Sequence, residues 1–142
     1  MPGPLPPGKS MAIVDANVIL RYLLDDDVAL ASAAREIVES GALAVPTEVF
    51  CEVVFVLQKV YRVPRYEISL QLRRFAVRAD SVLSRKRVIL KALDFFAVSN
   101  LDFVDCILAG YAGEGERIHT FDKQLNRFIE ELPQAMPFSG RG

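Results

Sequence analysis

Short apolar runs that end on an acidic residue or a proline, alternating with longer stretches of helical period, constrain this chain more than any other feature. Ala12-Ile13-Val14 is an apolar run closed by Asp15 and reads as a short buried strand. Leu43-Ala44-Val45, closed by Pro46, reads as a second. Arg117-Ile118-His119-Thr120 reads as a third, with His119 a strand residue, and it delivers Asp122 to its carboxyl end. Residues 135–138 are read as a last short strand. Between these runs the period changes. The carboxylates of Asp25-Asp26-Asp27 suit a helix N-terminus, and the helix they open runs to Ser40, where Gly41 stops it.

Residues 47–61 are rich in valine, but a stretch of that length exceeds the ~4–8 residues of a usual strand. Val49, Val53, Val56 and Val60 recur at helical spacing with Phe50, Val54, Leu57 and Tyr61 beside them, which makes one wide apolar face. Glu52 falls at the edge of that face, Glu48 lies further round, and Phe55 projects from the far side. Pro64 precedes a helix over residues 65–79. Residues 86–98 form another, with Val88, Ile89, Ala92, Leu93 and Phe96 on one stripe. A further helix begins at Asp102 or Phe103 and turns Cys106, Ile107 and Tyr111 inward. Strands alternating with helices predict a parallel α/β sheet, and ligands of such sheets sit outside the carboxyl ends of the strands. Asp15 and Asp122 are both expected there.

The 142 residues make one domain, read as residues 11–139, behind a proline-rich leader over residues 1–10 with Met11 a plausible start. No apolar run approaches the ~18–20 residues needed to span a bilayer. The leader lacks the apolar segment of a signal peptide. Cys51 and Cys106 are far apart in sequence and outside any C-x-x-C pair, which suggests reduced thiols in a cytoplasm. The net charge of −1 announces no nucleic-acid partner, but its distribution is uneven. Residues 62–87 hold eight basic side chains against Glu67 and Asp80, so the stretch is +6 and the remainder −7. It is either a solvated helix face or a cationic rim that holds phosphates, with Arg73, Arg74 and Arg78 as the candidate contacts.

Each acidic residue alone has an ordinary explanation. Asp15 suits a cap or turn, Glu52 a boundary position, Asp102 an N-cap, and Asp122 in Thr120-Phe121-Asp122 a turn. Asp102 and Asp105 are three apart and share a helix face. Together they describe a cleft in which carboxylates converge and raise one another's pKa, a conflict that a divalent cation resolves. Mg²⁺ and Mn²⁺ prefer such oxygen ligands. One histidine and two scattered cysteines make zinc a poor fit, and a single histidine also argues against a metal-free ribonuclease.

Val14-Asp15-Ala16-Asn17-Val18-Ile19-Leu20 resembles the first strand motif of PIN-domain nucleases. Glu52-Val53-Val54-Phe55-Val56-Leu57 after Pro46 resembles the helix that carries their glutamate. Leu101-Asp102-Phe103-Val104-Asp105-Cys106-Ile107 resembles the helix with the third acidic residue, and Thr120-Phe121-Asp122-Lys123 the fourth motif. The four stand in the right order from about Met11 to Phe128, and the chain resembles the VapC-type toxin ribonucleases of that family. The resemblance implies a three-layer α/β/α fold with a short, mostly parallel central sheet. It implies a Mg²⁺- or Mn²⁺-dependent endoribonuclease whose metal ligands are Asp15, Glu52, Asp105 and Asp122. Asp102 would assist, and Asn17 and Thr120 would orient ligands or RNA. It leaves open whether Asp102 or Asp105 is the principal ligand. A homodimer and a cognate antitoxin protein are the further partners it implies. Two other readings stand beside it: a PIN-like module that binds RNA or protein without catalysis, and a haloacid-dehalogenase-like phosphatase. The phosphatase normally needs a second Asp two residues after the first, where this chain has Asn17.

Overall fold

The computed structural model describes residues 12–78, 81–83 and 85–132. In chain order the elements are β1 (Ala12–Ile13), α1 (Ala16–Leu24), α2 (Val28–Glu39), β2 (Leu43–Val45), α3 (Thr47–Lys59), α4 (Arg65–Arg78), β3 (Ser81–Leu83), α5 (Lys86–Val98), α6 (Phe103–Gly113) and α7 (Lys123–Glu130). The strands form a parallel sheet in the order β1-β2-β3, with Ala12 opposite Leu43 and Leu43 opposite Ser81. Parallel neighbours need crossover connections, and α1 with α2, then α3 with α4, supply them. The fold is the expected α/β architecture, mostly helical around a small parallel sheet.

The core explains most boundaries. Asp27 caps α2 by accepting from the Leu30 amide at 3.0 Å, and Ser40 closes the helix. In α5 the whole stripe of Val88, Ile89, Ala92, Leu93 and Phe96 is buried. In α3 the buried face is Phe50, Val53, Val54 and Leu57, rotated from the valine row. Val60 and Tyr61 lie beyond the end of the helix and are exposed, because the chain turns away at Arg62, whose φ is 59°. Phe55 is exposed, as its position opposite the core predicts.

Three expectations need correction or completion. β1 is not buried: Ile13 is 75% exposed and only Val14 beyond it reaches the core. The strand lies at the end of the described sheet, so only one of its edges is paired. Residues 117–120 form no strand. Burial alternates along them as in a strand, but they join no ladder among the described residues. Their hydrogen bonds go instead to side chains, with Asn126 donating to the Thr120 carbonyl at 2.9 Å and the Asp122 amide to Thr120 Oγ1 at 3.0 Å. Residues 16–24, to which periodicity assigns no element, form α1. The strand expected at 135–138, the leader and the last residue of the 65–79 helix lie outside the described residues.

Candidate active site

The acidic residues sit where helices begin. Asp15 is the N-cap of α1, and its Oδ1 accepts from the Val18 amide at 3.1 Å. Asp122 is the N-cap of α7 in the same way, with Oδ1 accepting from the Leu125 amide at 2.9 Å. Both are exposed, and each leaves its second carboxylate oxygen free of that bond. Asp102 occupies the N-cap position of α6 without a side-chain cap bond, so neither of its oxygens is committed to its own helix. Its carbonyl accepts from the Cys106 amide at 2.9 Å. Asp105 lies in the first turn of α6 and is half-buried.

Helix α6 packs against α3, α5 and α7, which brings the starts of α6 and α7 together. The electrostatics record this. Desolvation pushes the Asp105 carboxyl above its ordinary value, and the charges of Asp122 and Asp102 push it further. Asp102, Asp105 and Asp122 therefore share one electrostatic neighbourhood. Asp15 and Glu52 are not among the charges that raise Asp105. Glu52 is exposed on α3, one residue from the wall of a cleft of about 540 Å³ between α3 and α6. Cys51, Phe55 and Lys59 line one side of that cleft, and Asp102, Val104 and Asp105 the other. Among the described residues no three His, Cys, Asp or Glu side chains stand in an arrangement that would hold a metal ion. The donor set is nonetheless suited to Mg²⁺ or Mn²⁺: oxygen ligands only, with Asp105 raised by two neighbouring carboxylates, and with Asp15 and Asp122 each having one oxygen already oriented.

Asn17 is exposed in the first turn of α1, and Thr120 supports the turn before Asp122. The basic stretch is largely occupied inside the domain. Arg73 grips Asp94 through Nε at 3.2 Å and Nη2 at 2.7 Å, tying α4 to α5. Arg87 pairs with Glu114 at 3.1 Å, and Arg85 with Glu116 at 4.0 Å. Desolvation would raise the Glu114 carboxyl, but hydrogen bonds and charges from Lys91 and Arg87 outweigh it and hold the group below its ordinary value. Arg74 is exposed in a groove with Tyr22, Leu23, Arg35 and Phe75. The side chain of Arg78 lies outside the described residues. Cys51 and Cys106 are both free thiols, and burial pushes the Cys106 thiol up to about 11. At that value it stays protonated near neutral pH and is inert.

Sequence spacing gives no hint of what Arg65 does. Its guanidinium lies 3.7 Å over the Phe96 ring and bonds to carbonyls 31 and 36 residues away. Only its place directly after Pro64, at the start of a helix, set it apart from the other basic residues.

No helix among the described residues is long and apolar enough to cross a membrane. No curated protein and no solved structure matches the chain significantly. The sequence profile of the PIN domain matches residues 12–130, and the chain belongs to that family, whose members are in general metal-dependent nucleases acting on RNA or DNA.

Proposed function

We propose that this protein is a metal-dependent endoribonuclease, the toxin of a toxin–antitoxin pair of the VapC type, with a cognate antitoxin and a second copy of the chain as its protein partners. The observation that carries the reading is the gathering of Asp102, Asp105 and Asp122 at the starts of α6 and α7, where desolvation and then the charges of Asp122 and Asp102 raise the Asp105 carboxyl. Like charges are gathered there at a cost to the free protein, and a bound cation removes that cost. Asp15, Glu52, Asp105 and Asp122 would hold Mg²⁺ or Mn²⁺, with Asp102 assisting. When bound, the metal would supply a water of lowered pKa and charge neutralisation at the scissile phosphate.

The chain's own residues have distinct tasks. The backbone amides of Val18 and Leu125 fix one oxygen each of Asp15 and Asp122, which would leave the second oxygen oriented for the metal. Thr120 holds the backbone of Asp122, and Asn17 stands in the first turn of α1, where it would orient substrate. Of the basic side chains proposed to contact phosphate, Arg74 is the better placed, because Arg73 is already engaged by Asp94. An exposed ion pair of that kind is worth only about 0–1 kcal/mol, so Arg73 can still exchange its partner for a phosphate. Arg74 shares its groove with Tyr22, seven residues or roughly 10 Å along α1 from Asp15. RNA lying along α1 could meet both.

PIN membership sets the phosphatase reading aside. The non-catalytic module remains the second reading, favoured by the absence of a ready-made metal cluster among the described residues. Purified protein incubated with a mixed structured RNA separates the two. Cleavage is expected with Mg²⁺ or Mn²⁺, absent with EDTA, and lost in Asp15→Asn although the variant stays folded. A protein that binds neither metal and never cuts is the non-catalytic module. Full metal-dependent cleavage by Asp15→Asn overturns the site assignment.

A further inference from the structure

The start of α6 carries two of the acidic side chains, yet no side-chain cap of its own marks where the helix begins: Asp102 makes no such bond. The loop before it, residues 99–101, is held from α7, where Gln124 Nε2 donates to Asn100 Oδ1 at 2.7 Å, and, next to Asp102 itself, from α4. Arg65 donates from Nε to the Phe96 carbonyl in the last turn of α5 at 2.9 Å, and from Nη2 to the carbonyl of Leu101, the residue before Asp102. The guanidinium carbon lies over the Phe96 ring, 3.7 Å from its centroid. That ring meets Phe103, the first residue of α6, edge to face at 5.7 Å. Within the loop, the Leu101 amide donates to Ser99 Oγ at 3.3 Å, and Cys106 Sγ approaches the Leu101 carbonyl at 3.9 Å. One planar cation thus joins the end of α5, the loop and the beginning of α6.

The chemistry calls for arginine at this position. Two carbonyls and an aromatic face are satisfied at once by a planar group with several in-plane donors, whereas lysine offers a point charge. The C-terminal carbonyls of α5 also carry partial negative charge that a cation offsets. Burial lowers the Arg65 pKa, and the carboxylate of Asp102, close enough to be felt, opposes that shift.

We infer that Arg65 is a positioning residue of the acidic site: its bonds to Phe96 and Leu101 set the place of Asp102 and Asp105. The inference rests on the nuclease reading. Mg²⁺ and Mn²⁺ tolerate little error in ligand placement, so a shift at the start of α6 is felt as lost affinity. Groups that hold ligands in place typically contribute 10- to 100-fold in metal affinity.

The test compares wild type, Arg65→Met and Arg65→Lys for Mn²⁺ affinity by calorimetry and for amide hydrogen exchange across residues 99–106, well below each melting temperature. Arg65→Met is expected to bind Mn²⁺ at least about tenfold more weakly and to exchange faster at Leu101 and Cys106. Arg65→Lys is expected to recover part of both. If Arg65→Met does not fold, Arg65→Lys carries the same two measurements. Unchanged Mn²⁺ affinity in a folded variant, even a less stable one, makes Arg65 merely structural and overturns the inference. Wild-type protein that binds no Mn²⁺ overturns the nuclease reading itself, a distinct result that is seen before any variant is made.

Discussion

Gly110 sets how closely α5 and α6 approach, and replacing it gives a sharp test of the packing that supports the site. A Cβ at Gly110 would stand 2.9 Å from the Val88 carbonyl oxygen and 3.1 Å from Val88 Cγ1. The first of these is a backbone atom of α5 and cannot rotate away. Gly110→Ala therefore gains helix propensity, about 1 kcal/mol in a helix interior, but meets an overpacking penalty of about 1–3 kcal/mol. Because the contact lies below ordinary carbon–oxygen separation, the penalty belongs in the upper half of that range. The net expectation is a loss of about 1–2 kcal/mol, or roughly 3–8 °C in melting temperature for a domain of this size. Gly113→Ala is the matched control. Its Cβ meets only Lys91 Cδ at 3.3 Å and Cε at 3.6 Å, the flexible part of a long side chain. At the last residue of α6 the propensity gain is small, so the variant should lie within about 0.5 kcal/mol of wild type. Urea and thermal unfolding of the two variants decide the matter. A Gly110→Ala protein as stable as Gly113→Ala would show that α6 can move away from α5 freely, and the account of how α6 is placed would fail.

Two further expectations concern pH. The Asp105 carboxyl is raised by desolvation and by Asp122 and Asp102, so its ionised form opposes folding of the metal-free protein. Metal-free protein should therefore gain stability as pH falls from neutral through the folded-state value toward pH ~4. Asp105→Asn should melt above wild type at pH 7 without metal, with the gap closing toward pH ~4, while Mn²⁺ stabilises wild type and not the variant; a variant that melts below wild type at pH 7 would contradict this. Glu114 has the opposite sign: with its carboxyl held low by Lys91 and Arg87, its stabilisation is present above about pH 4.5 and is lost as pH falls further. Glu114→Gln should cost about 1 kcal/mol or less at pH 7 and flatten the acid limb of the stability curve, which melting temperatures from pH 7 to pH 3 would reveal.

Local chemistry made the helices legible and left tertiary partners hidden. The α5 boundaries follow from one apolar stripe, and Asp27 with Gly41 brackets α2, because capping and period are properties of neighbours in sequence. Helix α1 escaped that logic. Only Asn17 and Arg21, four residues apart, are polar among its nine residues, a stripe too short to stand out as a period beside Val18, Ile19, Leu20, Leu23 and Leu24, which all face or flank the core. Residues 117–120 alternate like a strand, but a ladder needs a partner edge that no local pattern supplies. Arg65 was counted only as one positive charge, since its partners lie 31 and 36 residues away.

The acidic site is legible only as a set, since each of its residues alone is ambiguous, and the reason bears on how the site could work. Asp15, Asp102 and Asp122 each occupy an N-cap position, and a cap is a sufficient local explanation for each. Capping and metal binding do not compete, however. A cap bond occupies one oxygen and fixes the plane of the carboxylate, leaving the other oxygen aimed and available. The positive end of the helix dipole also favours the ionised form. At the start of α6 it opposes, without cancelling, the desolvation and neighbouring charges that raise Asp105, so the ionised carboxylates still carry a cost that a bound cation would remove. A helix start is thus a place where acidic residues can be gathered at reduced cost, and placing that start accurately becomes the task of distant groups such as Arg65 and Gly110.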